Sequence, residues 1–138
     1  MIDFKECIEK GLLKKIPASR DNALQSIIKA KELLQEAKEH LKDYYINSAI
    51  VISYLALFHA ARAILFKEGF REKSHECIIQ YLKEKHPEIE SIYIAKLEKY
   101  KNERNKTQYN IYYKPNEEDA EKMVEFAEEF IQEIEEIV

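Results

Sequence analysis

Arg104 stands where a helical pattern calls for an apolar side chain. Ile89, Tyr93, Leu97, Tyr100, Arg104, then Thr107 or Gln108, and Ile111 follow the three-and-four spacing of one helix face. An arginine turned toward a helical core needs partners, because an unpaired charge in a low dielectric is strongly disfavoured. Two arrangements satisfy it: an ion pair with a glutamate from another helix, or an anion site at a cleft, with Asn105, Gln108 and Tyr109 beside it. Spacing alone does not choose between them. His59 and Arg62 form a second pair, within one turn of each other on an otherwise apolar run. A lone histidine there is more often a satisfied core group than a catalyst, but an arginine on another helix adds weight to a functional role.

Other chemistries find less support. His75 and Cys77 are two apart and would point in different directions on a helix, and Glu72-x-x-His75 is half of a di-iron carboxylate motif with no second copy. His40 and His86 lie in charged stretches expected to be exposed, so no metal site and no cofactor are expected. No nucleophile elbow is present, and Ser53, Ser74 and Thr107 have ordinary helical or capping explanations. Gly11 and Gly69 are too far apart to build a glycine-rich phosphate loop. The run Lys99 to Lys114 carries five bases against one acid, and Lys99, Lys101 and Lys106 could meet nucleic-acid phosphates while tyrosines stack on bases. The same run also reads as an amphipathic helix with its tyrosines in the core. Glu117 to Val138 carries ten acids against Lys122, and could neutralise the basic run within a dimer.

Helices must position these groups. A short first helix runs through Phe4, Ile8 and Leu12 and ends before Pro17. Ser19 or Asp21 caps the second, whose stripe is Leu24, Ile27, Ile28, Leu34, Ala37 and Leu41. The central helix, roughly Tyr45 to Phe66, is apolar nearly all round. Arg62 at membrane depth would cost about 2.5–3.5 kcal/mol, so a helix surrounded by others is expected rather than a membrane span. Gly69 sits where a helix end needs a left-handed residue. Ser74 caps a fourth helix, Pro87 suits the first turn of a fifth, and Asn116 caps the last, with Glu117, Glu118 and Asp119 in its first turn. The expected fold is all-α: an antiparallel up-and-down bundle of four to five longer helices. It forms one domain over 1–138, with residues 1–18 a short helix and linker and residues 19–138 the bundle.

With 138 residues, 46% apolar and 35% charged, the chain can bury a core without disulfides or metal. Cys7 and Cys77, with no C-x-x-C spacing, read as reduced thiols in a cytoplasmic protein, and the first ten residues carry no signal-peptide core.

The run from Asn47 to Leu65, with Tyr54, Phe58, His59 and Arg62, followed by Lys73-Ser74-His75 and then by Arg104, Gln108 and Tyr109, resembles the HEPN superfamily. More narrowly, it is similar to the small stand-alone prokaryotic HEPN proteins, over roughly residues 20–138. The resemblance implies an antiparallel helical bundle, usually homodimeric, often beside a small nucleotidyltransferase in a two-gene module of toxin–antitoxin type. Catalytic members are metal-independent RNases with an Arg-x4–6-His motif between protomers. By the resemblance, Arg104, Asn105, Gln108, Tyr109, Arg62 and Lys73 are candidates for holding a nucleotide or RNA phosphate. The motif's histidine is missing: Tyr109, Asn110 and Ile111 stand five to seven residues beyond Arg104, and no histidine follows His86. Tyrosine, with a pKa near 10, is a poor general base. The expectation is therefore a non-catalytic phosphate-binding HEPN protein acting with a nucleotidyltransferase. The alternatives are an RNase in which His59 or His75 replaces the missing group, and a dimeric scaffold without ligand.

Overall fold

Alanines set how closely the central helices approach. Ala23, Ala30 and Ala37 recur every seven residues on one helix, and Ala49, Ala56, Ala60 and Ala63 lie on the next, all with no exposed surface. Small side chains at heptad spacing let two antiparallel helices pack close along their length. The computed structural model describes residues 2–138. Its elements are α1 (Phe4–Glu9), β1 (Leu13–Lys15), α2 (Arg20–Lys42), α3 (Ile46–Glu68), β2 (Phe70–Glu72), α4 (His75–Lys85), α5 (Ser91–Tyr109) and α6 (Glu117–Ile137). The fold is the expected all-α bundle, with α3 at its centre against α2, α4, α5 and α6. Helix α3 is long and apolar enough to cross a membrane, but 61% of its most apolar window is buried against the other helices.

Local signals fix most helix ends. The Ser19 hydroxyl, not Asp21, accepts from the Asn22 amide at 3.1 Å. Asn116 and Asp119 exchange side-chain and backbone bonds in a capping box at the start of α6. Gly69 adopts φ 84°, and a Cβ there would come within 2.8 Å of the Ile16 carbonyl, so the position tolerates only glycine. Helix α2 ends differently. The Tyr45 amide donates to the His40 carbonyl and the Tyr44 amide to the Leu41 carbonyl, the paired bonds of a Schellman turn. The left-handed position of that turn is Tyr44, at φ 64°, where glycine is usual. Tyr45 and His40 rings pack edge to face behind it, with centroids 6.0 Å apart.

Several expectations are corrected. Of the expected α2 stripe, Ile27, Leu34 and Ala37 are buried, but Leu24 and Ile28 are 42% and 47% exposed, because the buried face runs through Ala23, Ala30 and Leu33 instead. Pro87 lies in the α4–α5 connection rather than in α5, which begins at Ser91. His86 is buried, with Nδ1 2.5 Å from Glu88 and Nε2 2.9 Å from Glu68, which also accepts from the Tyr81 hydroxyl. The segment before α2 is more than a linker. Strand β1 pairs antiparallel with β2, with Leu13 opposite Glu72 and Lys14 opposite Arg71. Cys7 and Cys77 are not free thiols: both are fully buried and joined in a disulfide between α1 and the first turn of α4. Disulfides mark oxidising compartments but also occur inside hyperthermophilic archaea.

Candidate functional site

Three helices bring Tyr54, Phe58, His75 and Arg104 together. Tyr54 and Phe58 are one turn apart on α3. His75 is the first residue of α4, and its Nδ1 lies 2.8 Å from the Tyr54 hydroxyl. The His75 ring packs on Phe58 with centroids 4.0 Å apart. The Arg104 guanidinium lies over the Tyr54 ring at 5.2 Å and over the Tyr109 ring at 5.7 Å. Cation–π contact with two rings holds it in place without neutralising it.

The electrostatics of this cluster are unusual for a bundle interior. Arg104 makes no ion pair among the described residues. Its Nη1 donates to the Asn105 side-chain carbonyl at 2.9 Å, and its buried Nε has no acceptor. The glutamate partner that one arrangement required is absent from Arg104, because nearby Glu76 and Glu98 hold Lys101 instead, at 3.5 and 3.1 Å. Burial raises the Tyr54 phenol well above its ordinary value despite the opposing Arg104 charge, so Tyr54 keeps its proton. Burial, and then Arg104, lower the His75 pKa, so His75 is neutral at pH 7. Either tautomer satisfies its bond to Tyr54; if Nδ1 donates, Nε2 is left free to act as a base. Behind the ring, Leu57, Ala61, Ile78, Ile79 and Leu97 close a cavity of about 20 Å³. That is room for about one water, so a ligand must approach from the solvent side. A cleft of about 620 Å³ between α4 and α5 is lined by residues such as Lys83, Ile89 and Ile94 and includes neither Arg104 nor His75.

The remaining candidates divide. Asn105 touches Arg104, Tyr109 stacks on it, and Gln108 is exposed on the same helix. Arg62 is not available to a ligand: its Nε and Nη2 donate to buried Glu72 at 2.9 and 2.6 Å, and it lies over Phe58 and Phe66. His59 projects toward α2 rather than toward Arg104, with its pKa lowered by burial, Arg62 and Lys29. Lys73 sits on the β1–β2 ribbon, where Lys14 lowers its pKa. Lys101 is ion-paired, and Lys99 and Lys106 lie over Tyr100 and Tyr113. Among the described residues no ion pair joins α5 to the acidic α6, whose Glu128 and Glu135 pair with Lys38 and Lys31 of α2. Tyr113 bonds to Glu103, whereas Tyr109 and Tyr112 are 67% and 88% exposed. Glu72 and His86 are buried ionic centres that the sequence does not reveal, since their partners Arg62 and Glu68 lie 10 and 18 residues away along the chain and meet them only in the fold. No three-ligand metal cluster occurs among the described residues.

Comparison with known proteins adds a relationship. A family model described as "HEPN domain" matches residues 23–137. The chain is 33% identical over 130 residues to a protein of Methanocaldococcus jannaschii that carries the name "Putative toxin MJ0605", covering 91% of this chain and 93% of that protein. It is 31% identical over 108 residues to "UPF0332 protein" of Archaeoglobus fulgidus, covering 77% of this chain and 86% of that one.

Proposed function

The chain belongs to the HEPN family, and we propose that it is a non-catalytic member that binds a nucleotide or RNA phosphate through Arg104. One observation carries the proposal: Arg104 is held between two tyrosines with no carboxylate partner and with a buried Nε lacking an acceptor. A phosphate oxygen supplies the missing acceptor and neutralises the charge, and guanidinium geometry suits it. Binding without turnover follows from the proton inventory. Cleavage at a 2′-hydroxyl needs one group to take its proton and another to protonate the leaving oxygen. Beside Arg104 the one imidazole is that of His75, which burial and the Arg104 charge hold below its ordinary range, and Tyr54 keeps its proton.

In this proposal the chain is a cytoplasmic homodimer. Ile52, Leu55, His59, Arg62 and Phe66 form a half-exposed face of α3 at three-and-four spacing, and Leu24 and Ile28 extend it on α2. That face suits a second copy and borders Phe58 of the candidate site. The word toxin in the name of the M. jannaschii relative supports a toxin–antitoxin setting; a nucleotidyltransferase partner is proposed from the family resemblance alone. The test is fluorescence anisotropy with a labelled single-stranded RNA. Arg104→Ala should stay folded and lose binding, while an unfolded variant together with a native chain that binds nothing returns the structural role.

A second reading, an RNase using His75, draws on the Tyr54–His75 bond that orients the imidazole beside Arg104. RNA cleavage in EDTA that His75→Ala abolishes and His59→Ala leaves intact would establish it over the non-catalytic one.

A further inference from the structure

The two-stranded ribbon carries charge that the fold leaves uncompensated. Lys14 stands directly opposite Arg71, and Lys73 follows on the same outward face, its amide donating to the Leu12 carbonyl at 2.8 Å. Like charges facing each other across a strand pair destabilise it. With Lys15, these side chains line a cleft of about 520 Å³. None of the four has a carboxylate partner among the described residues, although the chain holds 26 acids and a net charge of −4. Other cations, such as Lys29, Lys83 and Lys114, also lack such partners, but here four of them meet in one cleft. The acid in the cleft wall, Glu72, is buried and already neutralised by Arg62.

We infer that the β1–β2 ribbon is an anion site, separate from Arg104, that takes a ligand with two or more adjacent phosphates through Lys14, Lys15, Arg71 and Lys73. Clustered phosphates match this arrangement because a single divalent oxyanion cannot face four cations spread along a ribbon, whereas a triphosphate or a nucleic-acid backbone can. The low Lys73 pKa has the same origin, and a bound anion reverses it. The site does not depend on the Arg104 proposal. It is joined to that site in the chain, since β2 leads through Lys73 and Ser74 directly to His75.

The experiment uses the full chain and the variant Lys14→Gln/Arg71→Gln/Lys73→Gln. Calorimetric titration with inorganic tripolyphosphate at low salt should give binding that the triple variant loses and Lys83→Gln, at an exposed lysine of α4, keeps. ATP and a labelled 12-nucleotide RNA distinguish the two sources of phosphate. If the ligand is a nucleic-acid backbone, the triple variant flattens the salt dependence of RNA binding by about 2 in log–log slope, at ~0.7 per lost phosphate contact. If it is a nucleotide, the variant loses ATP and retains the RNA slope. Thermal unfolding guards against a folding defect: removing the repulsion should leave the variant's Tm equal to or above that of the native chain. A native chain that fails to bind tripolyphosphate, or a folded triple variant that binds it as tightly, overturns the inference.

Discussion

Reducing the Cys7–Cys77 bond should cost as much stability as the most damaging single substitutions in the molecule. The bond spans a sequence separation of 70 residues, from the N-terminal arm to the first turn of α4. Chain-entropy estimates for closing a loop of that length give about 4.4 kcal/mol at 25 °C, by constraint of the unfolded chain. For a domain of this size, an unfolding entropy of roughly 2 cal/mol/K per residue turns that into a Tm decrease of about 15 °C. Burial adds to the effect, because both sulfurs are inaccessible and α1 has little else to anchor it besides Phe4 against Tyr81. The assay is thermal unfolding followed by circular dichroism, comparing oxidised protein with protein reduced in denaturant, refolded and kept in reductant. Thiol titration in denaturant without reductant should find no free sulfhydryl. Two reactive thiols in that titration, or a Tm unchanged by reduction, would refute the reasoning and restore the pair of independent thiols.

Other consequences follow from single contacts. Arg62→Leu leaves Glu72 buried without its partner and should lose about 3–5 kcal/mol in urea unfolding, while Arg62→Leu/Glu72→Leu loses much less. Tyr44→Gly removes a left-handed tyrosine that is 71% exposed, and should leave stability unchanged or raise it by up to about 1 kcal/mol. Both His59 and His75 have folded pKa values below the ordinary 6.5. The unfolded chain therefore binds more protons below that pH, and the two histidines should make stability fall as pH drops through 6.5, by up to about 1.4 kcal/mol per pH unit for each. His59→Asn/His75→Asn should flatten this slope in urea titrations between pH 7 and 5.

The features legible in the sequence were those decided by neighbours along the chain. Gly69 could be placed because a helix end needs a left-handed residue, and Asn116 because a capping box lies within four residues. The central helix showed itself by lacking a polar face. What stayed hidden depends on pairs that only the fold brings together. Cys7 and Cys77 show no recognisable spacing, and Arg62 gives no sign of Glu72, which becomes its partner when β2 folds back along α3. Pro87 misled because a proline suited to a first helical turn is equally suited to a loop. Arg104 is visible as an anomaly in the sequence, yet setting aside the ion-pair arrangement requires the fold, in which Glu76 and Glu98 hold Lys101.

The buried Nε–H of Arg104, without an acceptor in the folded chain, is the most direct reporter of the central claim. Nitrogen-15 NMR of the arginine side chains during titration with a dinucleotide reads that group alone, with Arg104→Lys assigning the signal. A phosphate at this site should shift the Arg104 Nε–H resonance downfield in step with binding and slow its exchange with water. A dinucleotide that binds while that resonance stays where it was would contradict the account, and would leave Arg104 a structural residue held by Tyr54 and Tyr109.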